Sequence, residues 1–102
     1  MKQNFDTIKD QLKHHLPSLR KDFSVVEIGI FGSVIQGHAK PESDVDILVD
    51  FSHPPGFFTF IKLEEYLSNI LHRKVDLVTR NALKNTVKKE ILHQVVYVWS
   101  SN

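Results

Sequence analysis

The run Asp44-Val45-Asp46-Ile47-Leu48-Val49 constrains this chain more than any other. Its apolar, β-branched residues read as a strand, and a strand sends alternate side chains to opposite faces. Val45, Ile47 and Val49 therefore point one way, and Asp44, Asp46 and Leu48 the other. At a rise of about 3.3 Å per residue the two aspartates sit about 6.6 Å apart along one face. Carboxylates that close repel each other, and a purely structural strand gains nothing from them. A divalent cation removes the repulsion, and Mg2+ takes one or two carboxylates together with phosphate oxygens and water. Asp50 has the right parity, but at about 13 Å from Asp46 it is too far along the strand to share that ion. Taken alone, Asp-x-Asp after Pro41-Glu42-Ser43 is more often ordinary turn composition than a metal site.

The surrounding segments supply a sheet and its cover. Phe5, Ile8, Leu12, Leu16 and Leu19 recur at helical spacing, with Pro17 placed to interrupt the helix. Val25 to Phe31 reads as a buried strand and Val45 to Phe51 as a second. His53-Pro54-Pro55-Gly56 breaks the chain. Phe60, Leu63, Leu67 and Ile70, with Tyr66 and Leu71, then form the apolar face of another helix. Lys74 to Val78 is a third strand, a last helix is expected from about Ala82 to His93, and Val95 to Trp99 leaves it as an extended tail. These segments predict an α/β (α+β) domain with a small mixed sheet flanked by helices. With 102 residues there is room for one core, so residues 1–102 are expected to form a single domain.

Two further features bear on the aspartates. Gly32-Ser33 directly follows the first strand, where a glycine lets backbone N–H groups approach a ligand and a small hydroxyl adds a donor. Asp76 interrupts Val75 and Leu77 in the third strand and so faces away from those two core residues. Neither feature is specific by itself: Gly-Ser is usually a turn, and a lone strand aspartate is usually a surface residue.

The combination of strand, Gly32-Ser33, ten residues, Asp44-Val45-Asp46 and a second strand resembles the signature of the DNA polymerase beta-like nucleotidyltransferases. The likeness extends over nearly the whole chain and is nearest to the minimal, MNT-type members. The broken lead-in helix, the Pro54-Pro55-Gly56 loop, the amphipathic helix and Arg73-Lys74-Val75-Asp76-Leu77-Val78-Thr79 come in their order. This resemblance implies a nucleotidyltransferase fold in which Gly32 and Ser33 hold the β- and γ-phosphates of a nucleoside triphosphate, with ATP expected. It implies two Mg2+ ions held by Asp44, Asp46 and Asp76, with Asp76 beside the acceptor hydroxyl. It also implies transfer of AMP to a tyrosine of a HEPN-domain toxin, with this chain as the antitoxin. Gln36 departs from the pattern, because many relatives carry an arginine there that could serve the triphosphate.

Composition narrows the alternatives. A net charge of +1 argues against a general nucleic-acid binder, so Arg73, Lys84, Lys88 and Lys89 read as a solvated face. Zero cysteines exclude a disulfide framework and a thiolate metal site and suit the cytoplasm. The first ten residues lack a signal-peptide core, and no apolar run reaches the length of about 18 residues that a membrane span needs. The six histidines, His14, His15, His38, His53, His72 and His93, show no zinc-ligand spacing, although His38 lies between the Gly-Ser turn and the aspartates. A different class of function is a non-catalytic module that neutralises its partner by contact and keeps a relic nucleotide site. The retention of mutually repelling aspartates weighs against it. The apolar tail could belong to an interface in a homo- or hetero-oligomer, but an ordinary core strand explains it more simply.

Overall fold

A computed structural model describes residues 5–37, 40 and 43–101. Helices α1 (Phe5–His14) and α2 (Leu16–Phe23) lead into β1 (Val25–Phe31). The single turn α3 (Ser33–Gln36) follows, then β2 (Val45–Phe51), α4 (Phe57–Leu71) and β3 (Val75–Thr79). A 3-10 turn (Arg80–Ala82), α5 (Asn85–Gln94) and β4 (Val96–Ser100) complete the described chain. The interruption expected at Pro17 falls at His15, which puts the proline in the first turn of α2, where its missing N–H costs nothing. Leu83 and Lys84 are extended, so the last helix starts at Asn85 rather than near Ala82. The expected tail is an edge strand.

The sheet has the order β3-β2-β1-β4. β1 is antiparallel to both β2 and β4, whereas β2 and β3 run parallel and are joined through α4. A parallel pair needs such a crossover, which places a helix on the sheet. Ile28, Ile30, Val45, Ile47, Val49, Val75 and Leu77 line the covered face, packed with Ile8, Leu12 and Leu19 of the lead-in helices and Leu63, Leu67 and Leu71 of α4. A register shift between Val25 and Glu27 keeps Val25 and Ile28 on that same face although they are three residues apart.

The opposite face carries the polar groups. Glu27 lies opposite Asp50, Gly29 opposite Leu48 and Phe31 opposite Asp46. On β3, Asp76 is the register partner of Asp46. Arg80, arriving from the 3-10 turn, reaches the Glu27 carboxylate at 3.4 Å from both oxygens. Tyr97 also hydrogen-bonds Glu27, and burial together with that carboxylate raises the pKa of its phenol. The 9 % exposed Glu27 is thus a buried acid with two partners, as burial requires. Edge strand β4 is fastened on its other flank, where the Arg20 guanidinium lies 4.7 Å from the centre of the Trp99 ring. No described helix is long and apolar enough to cross a membrane.

Candidate active site

β1 must stop where β2 begins its polar face, and a glycine stops it. Gly32 has φ 75° and ψ −147°, a backbone region that side chains disfavour. A second constraint is steric: a Cβ on Gly32 would collide with the carboxylate of Asp46. The chain turns closely over that aspartate. The Ser33 N–H then hydrogen-bonds the Asp46 carboxylate, and the turn closes through Gln36 N–H to the Gly32 carbonyl at 3.0 Å.

The strand register brings Asp76 alongside Asp46, on neighbouring strands about 4.8 Å apart. Both side chains leave the face opposite the core, and Asp76 is exposed while its neighbours Val75 and Leu77 are buried. Asp44 stands just before β2, close enough to add its charge to the same field. The pKa of Asp46 is raised, first by burial and then by Asp76 and Asp44, while the Ser33 N–H opposes the shift. A counter-charge beside the aspartates comes from Lys74, whose Nζ lies 4.0 Å from Asp44. That pair is largely exposed and of little strength. No three ligand-type side chains of the described residues already converge at metal-binding distances. The donors nonetheless suit Mg2+: they are carboxylate oxygens whose charges act on one another, and one is held in an environment that disfavours its negative charge.

Two residues that build this site are not assigned to it from the sequence: Gln94 is not singled out, and Arg73 reads as part of a solvated basic face. Gln94, at the end of α5, accepts the Gly32 N–H through Oε1 at 3.0 Å. Arg73 donates to the carbonyls of Lys40 at 3.1 Å and Ser43 at 2.7 Å, bracing the approach to Asp44. The Lys40–Ser43 turn is further closed by Ser43 N–H to the Lys40 carbonyl and Lys40 N–H to the Ser43 hydroxyl, each 2.9 Å. Arg73 therefore braces this turn and is not part of a basic face with Lys84, Lys88 and Lys89. No local pattern marks either residue, since each acts on backbone 30 or more positions away. Asp50 turns back to accept the N–H of Phe51 at 3.0 Å and lines a separate apolar cavity of about 350 Å³ with Pro54, Phe57 and Phe60. Gln36 is exposed at the end of α3. His38 lies outside the described residues.

A mixed sheet whose glycine-serine turn lies over one aspartate, with a second on the adjacent strand, has the parts of a nucleotidyltransferase. Comparison with known proteins agrees. Residues 12–98 match the nucleotidyltransferase domain family, and the chain belongs to it. The protein adenylyltransferase MntA of Thermococcus cleftensis is 50% identical over 93 residues, which cover 91% of this chain and 94% of that protein. A candidate protein adenylyltransferase of Methanocaldococcus jannaschii is 44% identical over 92 residues, covering 89% of this chain and 94% of its own. Among solved structures, a candidate minimal nucleotidyltransferase superposes with a TM-score of 0.78 at 26% identity, over 92% of this chain and 95% of that one. The fold also recurs in a chain of the complex of a tri-AMPylated Shewanella oneidensis HEPN toxin with MNT antitoxin, which matches with a TM-score of 0.68 at 20% identity, covering 91% of this chain and 72% of that one. The chain is a nucleotidyltransferase of the minimal kind.

Proposed function

We propose that this chain transfers AMP from ATP to a tyrosine hydroxyl of a HEPN-domain toxin in the cytoplasm, and that it acts as the antitoxin of that pair. The observation that carries the reading is the placement of Asp46: clasped by the Gly32-Ser33 turn on one side and flanked by Asp76 on the other. A phosphate-binding turn and a carboxylate that holds its counter-ion need to lie close together, and the hydrogen bond from the Ser33 N–H to the Asp46 carboxylate supports the reading. The choice of acceptor is supported by the relatives, through the name of the Thermococcus protein and the modified toxin in the Shewanella complex.

In this mechanism the Gly32-Ser33 turn receives the β- and γ-phosphates through the Ser33 hydroxyl and neighbouring backbone N–H groups. Asp44, Asp46 and Asp76 would hold two Mg2+ ions, which supply charge neutralisation for the triphosphate and the departing pyrophosphate. The acceptor oxygen attacks the α-phosphorus, forming a new O–P bond as the bond to the bridging oxygen breaks. Pyrophosphate leaves with that electron pair. Asp76, on the exposed side of the pair, takes the acceptor's proton.

Radiolabelled ATP, Mg2+ and a HEPN-domain partner test the proposal directly. Label should move to the partner and stop moving with Asp44→Asn plus Asp46→Asn. Tight binding of the partner without label would replace this reading by a contact antitoxin. Label transfer that survives the double substitution would end the assignment of the site.

A further inference from the structure

The Gly32-Ser33 turn is held from two directions. From β2, the Asp46 carboxylate takes the Ser33 N–H. From the far end of the chain, Gln94 takes the Gly32 N–H at 3.0 Å across 62 positions of sequence. Gln94 is itself firmly placed. It closes α5, where the Val95 N–H returns to the Ile91 carbonyl at 2.9 Å, and only Val95 separates it from β4, whose Val96 pairs with Ile30 of β1.

A glycine gives a turn its shape but not its rigidity. With no Cβ, the peptide groups on either side of Gly32 rotate through conformations closed to other residues. Rotation there would carry the Ser33 N–H away from Asp46 and move the serine hydroxyl with it. A hydrogen bond on the Gly32 N–H opposes that rotation at its pivot. We propose that Gln94 is the positioning residue of the phosphate turn: its carboxamide oxygen fixes the Gly32 peptide and so keeps Ser33 and Asp46 in register for nucleotide. It touches no reacting atom. This role rests on the nucleotide site described above and adds to it a residue from the opposite end of the fold.

Nucleotide affinity and the state of one amide report on it. Gln94→Met keeps length and volume but offers only a weak sulfur acceptor. Its Kd for ATP with Mg2+, measured by calorimetry, should rise about five- to tenfold, the loss expected for one hydrogen bond. In 15N-labelled protein the Gly32 amide resonance should shift and its hydrogen exchange accelerate, while amides in the middle of β1 stay as they are. Gln94→Glu retains an acceptor oxygen and should restore the Gly32 amide signature, which a loss of packing alone would not do. An unchanged Kd in Gln94→Met overturns the proposal, even if thermal stability falls. Fast exchange of the Gly32 amide in the unsubstituted protein also overturns it, with no variant needed. Asp46→Asn separates the two claims. If that variant still transfers nucleotide, the site assignment fails, whereas the Gly32 amide signature continues to judge Gln94.

Discussion

Asp46 sits where function and stability oppose each other. Its carboxylate is partly buried, flanked by Asp44 and Asp76, and relieved only by the Ser33 N–H. A carboxylate whose pKa is higher folded than unfolded favours the fold while protonated. That contribution is complete at low pH and disappears as pH rises through the folded value. Asp46→Asn keeps an acceptor for Ser33 and removes the charge. Without metal it should therefore melt higher than the parent near neutral pH, and the difference should shrink in acid; melting curves in EDTA at several pH values check this. Adding Mg2+ should raise the melting temperature of the parent and leave the variant almost unmoved. Transfer activity should fall by at least about a hundredfold, since a site built on charge neutralisation has lost a ligand. Gly32→Ala is a harsher change at the same spot, because the new methyl group enters the space of the Asp46 carboxylate. Both activity and stability should drop, and a variant with parental ATP affinity would contradict the geometry.

Among the elements, β4 shows what the sequence made legible and what it did not. Alternation in the second strand puts Asp46 on the face opposite Val45 and Ile47, and the burial of those two bears that out, because strand periodicity is a property of neighbouring residues. Asp44 stands just before β2 and has no register partner among the described residues. The pairing of Asp46 with Asp76 is a different matter. It depends on how α4 returns the chain to the sheet, which no local pattern encodes, and only the family resemblance suggested it. The sequence reads Val95 to Trp99 as a tail because the partner of β4, β1, lies some 70 positions earlier. Gln94 escapes notice and Arg73 reads as a solvated face for the same reason: each holds distant backbone, and a polar residue at a helix end or before a strand looks unremarkable. The β1–β4 junction leaves little room. A Cβ on Gly29 would stand 2.7 Å from a Val95 methyl and 3.1 Å from the Val96 carbonyl. Gly29→Ala should cost about 1–3 kcal/mol, as overpacked interiors do, and denaturant titration would measure it. Because Gln94 adjoins that junction, ATP affinity should weaken in the same variant.

The molecule as a whole divides its two sheet faces between stability and chemistry. One face is sealed by α1, α2 and α4, with Leu67 fully buried among them. Leu67→Ala should lose about 2–5 kcal/mol while leaving nucleotide affinity of the folded fraction unchanged. A combined drop in both would mean that the two faces are coupled more tightly than the packing indicates. The other face keeps its charges together in two groups, the aspartates at one end and Glu27 with Arg80 further along β1. Such a division is legible in the composition only as an average, a net charge of +1 that conceals a concentrated acidic spot.

The glycine that yields its side-chain space to an aspartate has a consequence for descent. Position 32 must stay bare on two counts, its own backbone angles and the carboxylate at position 46, so the acid depends on the glycine more than the glycine on the acid. A lineage that gave up the chemistry would be released at position 46 first, while position 32 would stay glycine for as long as the turn kept its shape. A vanished acid opposite a surviving glycine would therefore be the first written sign that such a site had been retired.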